Sequence, residues 1–191
     1  LSAFDFALYS ILFSASPKIE LFRRINMTDY NEMNAQLRAL IQGVPHYIAN
    51  LANASALIFN TLEDINWAGF YFAENEKIIL GPFQGKPACI EIPVGKGVCG
   101  AAVRQGTTML DKDVHEFPGH IACDSASNSE IVIPLRVQGK IIGVLDVDSP
   151  SVGRFTETDR AGLEEFVHIL SEALENARNK PFNLYSYIRS I

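Results

Sequence analysis

The chain has 191 residues, 48% of them hydrophobic, which is enough to bury one sizeable core and sits within the range of a single domain. A formal net charge of -6 with no run of Lys or Arg does not favour electrostatic attraction to a nucleic-acid backbone or an anionic membrane, so a small molecule or a protein is the expected partner. Three widely spaced cysteines, Cys89, Cys99 and Cys123, in a chain that needs no staples point to free thiols in a reducing, cytoplasmic compartment.

The N-terminal LSAFDFALYSILFSA resembles a signal-peptide core, but it lacks a basic n-region, carries Asp5 and is too short to span a bilayer, so secretion is not expected. Residues 1–26 read as an extension, 27–178 as the compact domain and 179–191 as a tail that Pro181 separates from the last helix. The domain opens with Thr28 as the expected N-cap of a helix presenting Met33, Leu37, Leu40 and Ile41 on one face. Gly43 and Pro45 close that helix and open a second, whose apolar stripe is read as Ile48, Leu51, Ala52, Ser55, Phe59 and Leu62.

Next come NWAGFYF (66–72), KIILGPF (77–83) and CIEIPV (89–94), short β-branched or aromatic segments separated by turn residues, which predict a strand meander. GKGVCGAAVRQG (95–106) has small apolar residues between glycines and suits a short helix packed closely on a sheet. Its glycines at 95, 97 and 100 spell GxGxxG, yet the segment is too short for a βαβ crossover before Thr107 and is not read as a nucleotide site. TTML (107–110) reads as a strand, and the loop 111–129 is long enough to expect a function for it. EIVIPLRV and KIIGVLDVD form a hairpin about Gln138-Gly139. Thr156-Glu157-Thr158-Asp159 is a capping box that opens a helix with Leu163, Phe166, Val167, Leu170, Leu174 and Ala177 on one face. The pattern is that of an α+β domain with a central antiparallel sheet.

Cys123 lies in the small, polar loop GHIACDSASNSE (119–130), which leads straight into the strand that begins near Glu130. A nucleophilic thiol needs partial exposure and a means of holding charge as thiolate, and this loop, with His120 close in sequence, supplies both. Cys99, between Val98 and Gly100, reads as a small buried hydrophobe, whereas Cys89 opens a strand after Pro87-Ala88. Should Cys89 meet Cys123 in space, the two can be oxidised to a disulfide. The cysteines lack the close CxxC pairs with which His115 or His120 would complete a zinc site, so no metal is expected. His46 and His168, both on predicted helices, are assigned ordinary structural or surface roles.

Asp146 and Asp148 are two apart on one strand and therefore project from one face, together with Ile142 and Val144. Acids on a core-side face are costly unless they serve a site or, for Asp148, cap the turn at Ser149-Pro150. A plain two-residue Gln138-Gly139 turn would turn Glu130 to the opposite face. A three-residue loop, or an equivalent bulge, would bring all three acids together and is the expectation. Clustered in this way, the acids cannot all stay ionised; one should hold a proton near neutral pH, and the others could bind an amine. Trp67 alternates with Gly69 and Tyr71 on a strand face; it is either core or an apolar wall for a methyl group or a cation.

NWAGFY, LGPFQGKPAC, IPVGKGVCGAA, DVHEFPGHIACD, SEIVIPL and GVLDVDSP, in this order, closely resemble the free methionine-(R)-sulfoxide reductases, which are small GAF-domain enzymes. The resemblance runs from about Met27 to Arg178 and includes all three cysteines. It implies a GAF-like α+β fold, a central six-stranded antiparallel sheet flanked by helices, and thiol-dependent reduction of free L-methionine (R)-S-oxide. Under it Cys123 is the nucleophile, Cys89 the recycling partner, Cys99 an auxiliary thiol and Glu130 a catalytic acid, while Trp67, Glu130, Asp146 and Asp148 hold the substrate. It implies no cofactor beyond thioredoxin as external reductant, and it allows a homodimer. The alternative is a non-catalytic GAF sensor of a small ligand. Phe155-x-x-x-Asp159 echoes part of a cyclic-nucleotide signature, but Arg160 stands where Glu would follow, so helix capping explains it better.

Overall fold

Asp29 caps the first described helix: its carboxylate accepts the N–H groups of Asn31 and Glu32 at 3.0 and 3.1 Å in the computed structural model, which describes residues 28–117, 119 and 125–176. The expected cap, Thr28, stands one residue too early. A carboxylate here satisfies two orphan donors and also complements the helix dipole. His120, Cys123, Ala177 and the two terminal segments, 1–26 and 179–191, lie outside the described residues.

Helix α1 (Tyr30–Ile41) buries Met33, Leu37 and Ile41, an i, i+4 stripe, while Leu40, one position off it, is 45% exposed. In α2 (Tyr47–Thr61) the buried stripe is rotated from the expected one, with Leu51, Ala54, Ser55 and Ile58 innermost and Ile48, Ala52 and Phe59 only half-buried. Ser55 accounts for the rotation. Its hydroxyl donates to the Leu51 carbonyl at 2.9 Å and to the Pro82 carbonyl at 3.1 Å, so this edge of α2 must face the sheet.

The sheet is built from β1 (Trp67–Glu74), β2 (Lys77–Gly85), β3 (Glu91–Pro93), β4 (Met109–Asp111), β5 (Ser129–Val137) and β6 (Lys140–Ser149). Its strand order is β3-β2-β1-β6-β5-β4, with antiparallel pairing throughout. Helix α3 (Gly97–Gln105) lies between β3 and β4 in the chain, and α4 (Glu157–Asn176) follows β6. The α+β class and the six-stranded sheet are as expected.

Alternation along the strands divides the core in two. Ala68, Phe70, Phe72, Ile131, Ile133, Leu135, Leu145 and Val147 face α1, α2 and α4. Trp67, Tyr71, Val132 and Val144 face the other way and pack with Val98, Cys99 and Ala102 of α3. Gly100 lets α3 come this close: a Cβ there would lie 2.5 Å from the Pro93 carbonyl oxygen.

At the start of α4 the capping box forms with Asp159 in the acidic position. Its carboxylate accepts the Thr156 N–H at 2.7 Å, and Thr156 Oγ1 accepts the Asp159 N–H at 3.4 Å. Asp159 also accepts from the Tyr30 hydroxyl at 2.8 Å and pairs with Arg154 at 3.1 Å, which ties the starts of α1 and α4 together. Leu163, Phe166, Val167 and Leu170 are buried as expected, and Leu174 packs partly on the same core.

The β5–β6 hairpin uses the two-residue turn Gln138-Gly139, both at positive φ (50° and 73°). The register shifts between Leu135 and Arg136, which face Gly143 and Ile141 and leave Ile142 as an extra residue. This is the compensating bulge that the acid cluster requires. It also corrects one expectation: Ile142 does not share the face of Val144 but packs on the helical core.

Candidate active site

Pairing across three strands assembles the acids. Trp67 faces Asp148 on β6, which faces Glu130 on β5; two residues along, Gly69 faces Asp146, which faces Val132. Directly opposed residues share a side of the sheet, so Trp67, Glu130, Asp146 and Asp148 all project toward α3. Glu130 and Asp146 are only 8% and 6% exposed, and Asp148 is half-buried.

Cys99 enters from α3. Its thiol, 3% exposed, donates to Glu130 Oε1 at 3.7 Å, and donor atoms of Cys99, Glu130 and Asp146 all lie within 4.8 Å of one another. Local sequence supports a buried thiol there, but not its contact with the acids. That contact depends on how α3 crosses the sheet.

The electrostatics follow from crowding acids out of water. Burial, then the charges of Asp146 and Asp148, pushes the Glu130 carboxyl well above the usual carboxylate range. Burial raises Asp146 to about 6, while hydrogen bonds from Cys99 and Glu130 oppose the rise. Crowded together out of water, Glu130 and Asp146 are both pushed above the ordinary carboxylate range and titrate as a pair. One Asp146 oxygen, Oδ1, is buried without a hydrogen-bond partner. Burial and the neighbouring acids also push the Cys99 thiol up, so it is held as a thiol and is a poor nucleophile.

Trp67 forms one wall. Its indole N–H donates to the Lys86 carbonyl at 3.1 Å, and its ring stacks on Phe83 at 5.3 Å and on Tyr71 at 5.9 Å. Gly69 makes room for the indole: a Cβ there would lie 2.7 Å from Trp67 Cη2 and 2.3 Å from Phe83 Cβ. Phe83 was not singled out from sequence; the small residue at 69, in the strand that pairs with β2, is the signal that could have found it. The Tyr71 hydroxyl donates to the Cys89 carbonyl at 3.0 Å and so connects this wall to a second cysteine.

Cys89 is half-buried against the second core and is part of a disulfide, whereas Cys99 is free. Cys123 lies outside the described residues, but the segments flanking its loop are anchored beside the acids. The Gly119 carbonyl accepts the N–H of Gly97 at 3.1 Å at the start of α3. On the other side the Asn128 N–H donates to the Ser149 carbonyl at 2.7 Å, and the Asn128 carbonyl accepts the N–H of the buried Val114 at 3.0 Å. His115 is taken up by a 2.9 Å bond to the Asn128 side chain and His168 by an ion-pair contact with Glu172, while His46 stands exposed just ahead of α2. Among the described residues no helix is long and apolar enough to cross a membrane.

Residues 37–175 match the family model of the GAF domain. The free methionine-R-sulfoxide reductase of Escherichia coli K12 is 52% identical over 159 residues, spanning 83% of this chain and 96% of that protein. Two solved structures are similar throughout the fold. One is the reduced form of fRMsr of Staphylococcus aureus, with a TM-score of 0.76 and 51% identity, covering 78% of this chain and 97% of that one. The other is a free methionine-R-sulfoxide reductase from Neisseria meningitidis in complex with its substrate, with a TM-score of 0.75 and 42% identity, covering 78% and 90%.

Proposed function

We propose, for a chain that belongs to the GAF domains and among them to the free methionine-(R)-sulfoxide reductases, that it reduces free methionine (R)-sulfoxide to methionine at the Trp67–acid face. The observation that carries the site assignment is Asp146: a buried acid on the same face as Glu130 and Asp148, with an unpartnered oxygen and no Lys or Arg ion pair among the described residues, asks for a cationic ligand. The ammonium of a free amino acid meets that need. A peptide-bonded methionine has no such group.

In this reading Asp146 and Asp148 hold the ammonium, Trp67 meets the S-methyl group, and protonated Glu130 donates to the sulfoxide oxygen. The Cys123 thiolate attacks the sulfoxide sulfur. The oxygen passes to Cys123 as a sulfenic acid, methionine leaves, and the substrate sulfur gains the two electrons that Cys123 loses. The Cys89 thiol then condenses with the sulfenic acid, forming a disulfide and releasing water. A thioredoxin-like dithiol restores both thiols by exchange, so no bound cofactor is needed. The pairing of Cys89 with Cys123 is what the family resemblance implies, and Cys89 is itself disulfide-bonded.

The test is methionine release from free methionine-(R)-sulfoxide coupled to thioredoxin oxidation, with peptide-bound sulfoxide as the control substrate. Cys123→Ser should abolish the release. Full multiple turnover by that variant overturns the assignment, and a wild-type protein that binds the sulfoxide without releasing methionine favours the small-ligand sensor instead.

A further inference from the structure

The three groups that lie closest together on the acid face are chemically mixed: one thiol, Cys99, and two carboxyls, Glu130 and Asp146, all buried. Their spacing suits a particular kind of ligand. A tetrahedral zinc ion with bonds of about 2.3 Å to sulfur and about 2.1 Å to oxygen spans roughly 3.6 Å between sulfur and oxygen, and roughly 3.4 Å between two oxygens. The distance from Cys99 Sγ to Glu130 Oε1 is 3.7 Å, and the donor atoms of all three residues lie within 4.8 Å of one another, so only a small closure is needed. Independently of that spacing, Asp146 Oδ1 is buried with no partner. Among the described residues, the charges acting most strongly on Glu130 and Cys99 are those of other acids.

We propose that Cys99, Glu130 and Asp146 form a three-point site for a thiophilic divalent cation such as Zn2+, which competes with the substrate ammonium and inhibits the enzyme. A sulfur donor among carboxylates selects zinc-like ions over magnesium or calcium, which take oxygen alone. Three protein ligands leave the fourth position for a water or other ligand. Binding displaces the thiol proton and the carboxyl proton of the cluster to the buffer and changes no oxidation state. The site shares its acids with the proposed substrate pocket, yet its occupancy can be read without turnover.

The experiment uses Co2+ as the spectroscopic probe on the full chain in its disulfide form, in which Cys89 cannot offer a thiolate. Wild type should develop a near-ultraviolet thiolate-to-cobalt charge-transfer band and the visible bands of a tetrahedral site, saturating at one ion per chain and bleached by Zn2+. Cys99→Ser, and Cys99→Ala should the serine variant fail to fold, should lose the charge-transfer band. Asp146→Asn should weaken binding by at least the roughly 10-fold that loss of even an outer-shell partner costs. Saturating methionine sulfoxide should also bleach the band. Folded wild type without the band, or a band that survives in the Cys99 variants, overturns the site; a band that persists under saturating sulfoxide overturns the competition. Methionine release in chelator-treated buffer separates the two readings, because activity without the band sinks only the cation site and the band without activity sinks only the reductase.

Discussion

Glu130 lies directly opposite Asp148 across β5 and β6, and the extra residue at Ile142 puts it there. Without that bulge the two-residue turn would send Glu130 to the helical core and Ile131 to the acid side, burying a carboxyl among aliphatic side chains. The bulge thus decides whether the acids form one site.

The first expectation concerns the proton on Glu130. Glu130→Gln keeps a hydrogen-bond donor but cannot deliver a proton, so kcat should fall by roughly 100-fold or more while KM changes little. Steady-state kinetics on free methionine-(R)-sulfoxide check this. An unchanged kcat would remove Glu130 from acid catalysis.

Asp146 predicts a pH dependence of stability. Its folded pKa, raised to about 6, exceeds the ordinary value of 3.8, so the folded state binds more protons between those values. Stability should therefore decline as pH rises from about 4 to about 6, by up to about 3 kcal/mol from this group. Urea unfolding of wild type and Asp146→Asn across that range should show a flatter slope in the variant. Parallel slopes would count against the shifted pKa.

Gly69→Ala should damage the Trp67 wall. Its Cβ would meet Phe83 Cβ at 2.3 Å and Phe83 Cα at 2.8 Å, so the backbone must shift as well as the indole. An overpacking cost of about 1–3 kcal/mol is expected, with a higher KM and a changed emission from Trp67, the chain's only tryptophan. Thermal unfolding and fluorescence together test this.

Cys89 and Tyr71 should separate the two halves of the catalytic cycle. Cys89→Ser should release roughly one methionine per chain and then stall, because the sulfenic acid lacks its partner. Tyr71→Phe removes the bond to the Cys89 carbonyl, an interaction worth on the order of 1 kcal/mol. Its first methionine should appear at close to the wild-type rate, while turnover limited by disulfide formation slows several-fold. Rapid quench compared with steady-state turnover distinguishes the two.

Strand content was legible because strand periodicity is local. Alternation in WAGFYF separates Trp67, Gly69 and Tyr71 from Ala68, Phe70 and Phe72 with no knowledge of the rest of the chain, and the same rule places Asp146 beside Asp148. Helix ends and faces were less secure. Asp29 rather than Thr28 caps α1, and Ser55 turns α2 through a bond to Pro82, a residue 27 positions away.

By itself, then, the sequence determined the strands and most of their faces, the capping box of α4 and, through its motifs, the family. Only the tertiary structure decided that the bulge falls at Ile142, that Cys99 reaches Glu130, that Phe83 backs Trp67 and that Asp146 keeps an unpartnered oxygen. The physical reason is range. Propensity and alternation act between neighbours in the chain, whereas these four features come from close contacts between elements, where one missing Cβ at Gly69 or Gly100 sets which side chains meet.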